Sequence, residues 1–191
     1  MDNLYMFAIM PPHSLALKID DERKNFAEKY KCVKALKPPV HITLYEPFKR
    51  SSEIEEKISG IQSWAEKQKP FQVDLKNFNF FRHSKSPVVY IDIVKNDSLS
   101  MLHESFIEQL KKYMPVEKHN ITYTPHFTIG YRDIPPAIFP DIMNEYSKRR
   151  FSESFEVKCI YFWKHDGKNW QIQTEFKMGL SSDYSVRTVL I

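Results

Sequence analysis

One pattern of elements occurs twice in this chain, displaced by 85 residues, and it limits the folds open to the chain. In the first copy, the apolar run from Leu4 to Met10 is stopped by Pro11-Pro12 and predicts a buried strand. Leu15, Ile19, Phe26 and Tyr30 then recur near helical spacing, which predicts a helix over 12–30. Pro38-Pro39 precedes a strand, Val40 to Tyr45. Ser52-x-x-Glu55 reads as a capping box opening a helix that carries Ile54, Ile58, Ile61 and then Trp64 or Ala65. Phe71, Val73 and Leu75 alternate, slip phase at Asn77 and resume with Phe78 and Phe80, which predicts a bulge in a long strand.

The second copy starts with a strand from Val88 to Val94, after a loop around Ser84–Pro87. Asp97 or Ser98 is expected to cap a helix bearing Leu99, Leu102, Phe106 and Leu110. A strand over 124–131 and a helix with Ile138, Ile142 and Tyr146 follow. Phe155, Val157, Cys159, Tyr161 and Trp163 read as one strand, and Trp170 to Met178 as another. The Asp166-Gly167 between them predicts a hairpin. The tail from Ser181 receives no element. Strand 4–10 maps onto 89–95, helix 12–30 onto 97–115, helix 52–67 onto 137–152 and strand 71–81 onto 156–166. The expected organisation is one domain over 1–191, with repeats at about 4–81 and 88–178.

Almost no residue identity survives between the copies outside one tripeptide, His-x-Thr: His41-Ile42-Thr43 and His126-Phe127-Thr128. With seven histidines and few threonines, chance supplies about 0.2 such matches per chain of this kind. Two at equivalent positions therefore ask for a reason. Residues i and i+2 of a strand share a face, so each histidine projects with its threonine. Two such strands related by duplication place two imidazoles and two hydroxyls in one cleft. Near neutral pH, imidazoles with a reference pKa of about 6.5 supply one neutral and one protonated ring, a base and an acid. Threonine hydroxyls suit the non-bridging oxygens of a phosphodiester, whose charge must be held as phosphorus becomes five-coordinate.

Composition narrows the phosphate chemistry further. Only four of the 191 residues are glycine, at Gly60, Gly130, Gly167 and Gly179, and their spacing permits neither a dinucleotide-binding fingerprint nor a P-loop. Phosphate must be held by side chains. With 42% hydrophobic and 27% charged residues, the chain supports an ordinary core. No apolar run reaches membrane-spanning length, and two cysteines, Cys32 and Cys159, are too few for a disulfide scaffold, so a cytoplasmic location is expected. Neither cysteine stands in a metal-ligand spacing. The net charge of +4 fits an anionic partner.

The two motifs, His41-Ile42-Thr43-Leu44 and His126-Phe127-Thr128-Ile129, make the chain similar to the two-histidine phosphoesterases, a family that includes bacterial 2′-5′ RNA ligases and RNA 2′,3′-cyclic phosphodiesterases. Phe48 after the first motif and the opening Leu4 to Pro12 also resemble that family. The resemblance spans about residues 4–178. It implies an α+β, duplicated two-lobe fold with pseudo-two-fold symmetry, mainly antiparallel sheets lining a central cleft and helices outside. It implies His41, Thr43, His126 and Thr128 as catalytic residues, no cofactor and no metal. The expected substrate is an RNA terminus or small cyclic nucleotide, the expected partner list includes no membrane, and a monomer is expected. Opening of a 2′,3′-cyclic phosphate, RNA 2′-5′ ligation, and a nucleotide-binding module without turnover all remain compatible with the motifs.

Further residues are open at this level. Strand parity puts Tyr45 on the face of His41, where it stacks on a base or packs as an ordinary strand tyrosine. Family members often carry arginine five residues after the second histidine. Tyr131 stands there, and Arg132 one later, sharing parity with Thr128 and Gly130, either reaches the phosphate or is solvated. The missing side chain of Gly130 is expected to leave room for substrate. His13, His83, His119 and His165 read as surface residues and His103 as structural. Lys34, Lys37, Lys49, Arg50, Arg82 and Lys85 either guide RNA to the cleft or form a solvated basic surface.

Overall fold

The computed structural model describes residues 2–82 and 87–179, so the loop expected around Ser84, with His83 and Lys85, and the tail from Ser181 lie outside the described residues. In chain order the elements are β1 (Asn3–Ile9), α1 (His13–Tyr30), β2 (Ile42–Arg50), α2 (Glu53–Lys57), α3 (Ile61–Ala65), β3 (Phe71–Phe81) and β4 (Val88–Ile93). They continue with α4 (Asp97–Leu110), β5 (His126–Gly130), α5 (Phe139–Tyr146), β6 (Ser152–Val157), β7 (Cys159–His165) and β8 (Trp170–Lys177). All eight strands form one antiparallel sheet in the order β6-β3-β4-β5-β2-β1-β7-β8. The expected α+β class and antiparallel pairing hold.

The sheet has two unlike faces. On one, Phe7, Ile9, Ile42, Leu44, Ile91, Phe127 and Phe162 meet the apolar stripes of the helices, including Ile19 and Phe26 of α1, Phe106 of α4 and Ile142 of α5. This is the main core. On the other face Met6, Ala8 and Trp163 form a small separate cluster with Met10, Tyr161 and Trp170, and among the described residues no helix contributes to it. That face is the one the motif residues occupy.

Several local expectations changed in physically informative ways. Asn77 is the predicted bulge: its φ is +62°, and its backbone N–H donates to the Phe151 carbonyl. The α4 cap is Asn96, one residue before the expected Asp97 or Ser98, with its Oδ1 accepting from the Leu99 amide. The Ser52 capping box does not form. Glu55 accepts instead from the Tyr5 hydroxyl at 2.6 Å and the Lys164 ammonium at 2.8 Å, tying α2 to β1 and β7. The segment expected as one strand from Phe155 to Trp163 divides at Lys158. Phe155 and Val157 enter the core from β6, whereas Ile160 and Phe162 do so from β7, one phase later. β6 pairs with β3 at one edge and β7 with β1 in the other half, so no single register serves both.

Equivalent irregularities follow the two motif strands. Against β1, Thr43 pairs with Ala8 and Tyr45 with Phe7, leaving Leu44 as an extra residue. Against β4, Thr128 pairs with Tyr90 and Gly130 with Val89, leaving Ile129 extra. Each bulge flips the parity beyond it. Tyr45 and Gly130 therefore turn toward the core. A Cβ on Gly130 would fall on the Phe26 ring of α1, so its missing side chain makes room for a helix, correcting the expectation of room for substrate.

Gly130→Ala is accordingly expected to lower stability by about 2 kcal/mol through overpacking, with Tm falling by roughly 4–8 °C. Adding Phe26→Leu should recover part of that loss. Thermal denaturation of the single and double variants checks both, and an unchanged Tm for Gly130→Ala would contradict the close packing.

Candidate active site

The two motifs meet where the halves of the sheet are joined. The registered pair between β2 and β5 is Ile42↔Phe127, and both side chains are fully buried on the core face. Strand alternation sends the flanking residues to the opposite face. Antiparallel register through this pair sets Thr128 across from His41 and His126 across from Thr43. The two histidines are diagonal neighbours, whose positions in such a ladder lie about 7–8 Å apart. All four side chains are partly exposed, and neither threonine hydroxyl hydrogen-bonds to another described residue.

Both imidazoles are held alike. His41 Nδ1 lies 2.7 Å from the Pro39 carbonyl oxygen, and His126 Nδ1 lies 2.7 Å from that of Thr124. A carbonyl only accepts, so Nδ1 carries hydrogen in each ring and Nε2 is left with the lone pair. The segments leading into the motifs are themselves fixed. Arg23, buried in α1, donates to the Pro38 carbonyl at 2.7 Å. In the other half, Tyr123 stacks on the buried His103 of α4 with ring centroids 3.9 Å apart. His103 thus has the structural role expected of it. Burial pushes it down to about 4.

The two rings differ in what surrounds them. Trp163 of β7 stands beside His41, ring centroids 5.4 Å apart. Phe81 of β3 takes the corresponding place beside His126, at 5.0 Å, and Tyr90 of β4 lies equally close. Burial pushes His41 down to about 4, and the nearby Arg23 guanidinium and His126 disfavour its cation further, against the opposing hydrogen bond to Pro39. Burial also lowers His126, but the Thr124 carbonyl and the carboxylates of Asp92 and Glu46 favour its charged form. Both rings stand beside aromatic side chains, but the charge near His41 is cationic and that near His126 anionic.

Two sequence-level candidates fall elsewhere. Tyr45 is 1% exposed in the main core, turned there by the Leu44 bulge, so it does not share the face of His41. Its hydroxyl accepts from the Glu117 amide at 3.2 Å and ties the loop before β5 to β2. Arg132 lies past the end of β5, exposed, at a φ of +66°, with its guanidinium 5.2 Å from the Tyr131 ring centroid. Parity along the strand does not extend to it. His13 and His119 are exposed, whereas His165 is half-buried against Trp170. Sequence reading missed Asp92, Tyr90, Phe81 and Trp163. Their signal was present as the cleft-side alternation of β3, β4 and β7, but it becomes readable only once the strand neighbours are known. Among the described residues, no three His, Cys, Asp or Glu side chains are grouped to hold a metal ion. No helix among them is long and apolar enough to cross a membrane.

The chain is similar to several known proteins in sequence and in fold. A protein of Geobacillus kaustophilus named as a phosphoesterase is 28% identical over 178 residues, covering 92% of this chain and 96% of that one. A counterpart in Geobacillus sp. strain WCH70, named likewise, is 26% identical over the same shares. Among solved structures, TT0787 of Thermus thermophilus superposes with a TM-score of 0.69 at 16% identity, over 95% of this chain and all of that one. LigT of E. coli, crystallised with 3′-AMP, gives 0.68 at 17% identity over 93% and 99%. The profile of the 2′-5′ RNA ligase superfamily matches residues 11–169, well over half of the sequence, and the chain belongs to that superfamily.

Proposed function

We propose that this protein is a phosphodiesterase that opens a 2′,3′-cyclic phosphate, or cleaves a 2′-5′ linkage, at an RNA end or on a small nucleotide, using His41, Thr43, His126 and Thr128 without a metal. The observation that carries this reading is the antiparallel pairing of two His-x-Thr tripeptides across one strand seam, each ring presenting Nε2. The capture of 3′-AMP by the fold neighbour LigT is in keeping with a nucleoside monophosphate product.

His41, in the cationic setting, is the general base, and His126, flanked by carboxylates, is the general acid. Nε2 of His41 takes a proton from water as the water oxygen bonds to phosphorus. The bond from phosphorus to the 2′ or 3′ oxygen breaks, and that oxygen receives the proton from Nε2 of His126. Thr43 and Thr128 donate hydrogen bonds to the non-bridging oxygens, which carry increasing charge at that moment. A phosphomonoester and a free hydroxyl result. In ligation the same groups exchange roles.

Hydrolysis of 2′,3′-cyclic AMP is expected to proceed undiminished in EDTA. His41→Ala and His126→Ala should each lower kcat by about 10²–10⁴-fold. Thr43→Val should lower it by about 10²-fold with a smaller change in KM. Full activity in the His41→Ala, His126→Ala double variant, or its complete loss in EDTA with recovery on adding metal, would refute the reading. A chain that binds nucleotides without turning over any phosphodiester of a broad panel is instead a binding module.

The pH profile has a predicted sign. Productive enzyme has His41 neutral and His126 protonated. On the acid side kcat/KM falls as His41 takes up a proton near pH 4. On the alkaline side it falls as His126, held below its ordinary value by burial, loses one. The rate should therefore be higher at weakly acid pH than at pH 8. A kcat/KM that climbs steadily from pH 7 to 9 would exclude the assignment.

A further inference from the structure

The halves of the cleft match in backbone and differ at a telling pair of side chains. Directly across the strand from His126 stands Asp92 of β4. Continuing the register of Ile9↔Ile42 by one residue places Met10 at the corresponding position across from His41. Duplication supplied two equivalent histidines, and one of them has acquired a carboxylate neighbour.

We propose that Asp92 is a positioning residue for this chemistry: its carboxylate holds the proton on His126 and so fixes that ring as the acid of the pair. The inference rests on the phosphodiesterase reading above. Cross-strand neighbours bring their Cβ atoms to about 4.5–5.5 Å, close enough for the carboxylate's charge to act on the ring across a partly buried site without a direct hydrogen bond. The carboxylate is itself oriented. Oδ2 accepts from the Asn79 side-chain amide at 3.1 Å and Oδ1 from the Ile93 backbone N–H at 3.0 Å. These bonds fix its direction and are uncharged, so they leave its field on His126 intact. Each oxygen also keeps a second lone pair.

Among the described residues, the charged and titratable groups facing His126 are few. Asp92 and Tyr90 come from β4, Glu46 from β2, and His41 precedes β2. Burial and Asp92 both raise the Tyr90 phenol, which keeps it neutral. Glu46 is exposed and lies 3.5 Å from the exposed His119 imidazole, where solvent and salt screen it. His41, pushed down to about 4 by burial, is neutral while His126 holds its proton. Asp92 is therefore the half-buried, hydrogen-bonded anion able to offset the burial of His126. In a cleft meant for a phosphodiester a carboxylate repels the substrate, so a role on the proton gives its position a physical reason.

The test is an imidazole NMR titration of the full chain, alongside rate measurements on 2′,3′-cyclic AMP. In Asp92→Asn the His126 midpoint should fall by about one pH unit, with a smaller fall in Glu46→Gln. The His41 midpoint should move less than that of His126. The Asn variant should lose about tenfold in kcat/KM at pH 7.5 and progressively less as the pH is lowered toward 5. Asp92→Ser, smaller and equally uncharged, should shift His126 the same way and serves if the Asn variant folds poorly. An unmoved His126 midpoint, or a rate loss equal at all pH values, overturns the proposal, since a purely structural residue acts at every pH. If the wild type opens no phosphodiester while His126 still follows Asp92, the phosphodiesterase reading fails and the coupling stands.

Discussion

The pairing of Ile42 with Phe127 is the contact on which the rest of this molecule depends. Each residue is fully buried, contributing about 1.5–3 kcal/mol of hydrophobic stabilisation, and each points its neighbours on both sides toward the opposite face. With that pair in register, the two tripeptides lie antiparallel and His41, Thr43, His126 and Thr128 share one patch of the opposite face. The seam is short, with Ile42↔Phe127 the registered pair between β2 and β5. It is braced from the core side by α1, which belongs to the first half and presses Phe26 onto Gly130 of the second.

On this near-symmetric frame the side chains are unequal. Aromatic rings flank both histidines from equivalent strands, Trp163 on one side and Phe81 on the other. The supports below differ: a buried guanidinium grips the carbonyl before the first motif, and a stacked His103–Tyr123 pair steadies the second. Symmetry sets two identical imidazoles as diagonal neighbours on one face of the sheet. Catalysis by a single acid and a single base needs them in different protonation states, and unequal surroundings decide which ring takes which. Arg23 on the His41 side and Asp92 and Glu46 on the His126 side act in opposite directions on two rings of the same intrinsic basicity.

Much of the frame was legible in the chain because it depends on local patterns. The repeat, the phase slip at Asn77, the Asp166-Gly167 hairpin and the motif spacing are all periodicity or turn chemistry. The misreadings share one cause. Tyr45 and Gly130 were placed by counting twos along a strand, and the count fails at Leu44 and Ile129, where the partner strand offers one residue against two. Glu55 looked like a helix cap, but Tyr5 and Lys164, brought from distant strands, compete for its carboxylate. Lys158 separates two strands because their partners lie in different halves of the sheet.

The sequence by itself determined that two His-x-Thr tripeptides sit on equivalent strands and that neither a dinucleotide-binding fingerprint nor a P-loop is available, since both follow from residue type and spacing. Tertiary structure alone decided which neighbours those tripeptides keep. Asp92 opposite His126, Arg23 beneath the approach to His41, and Tyr45 turned into the core are consequences of strand register and helix docking. Those relations join residues tens of positions apart, and no local periodicity encodes them.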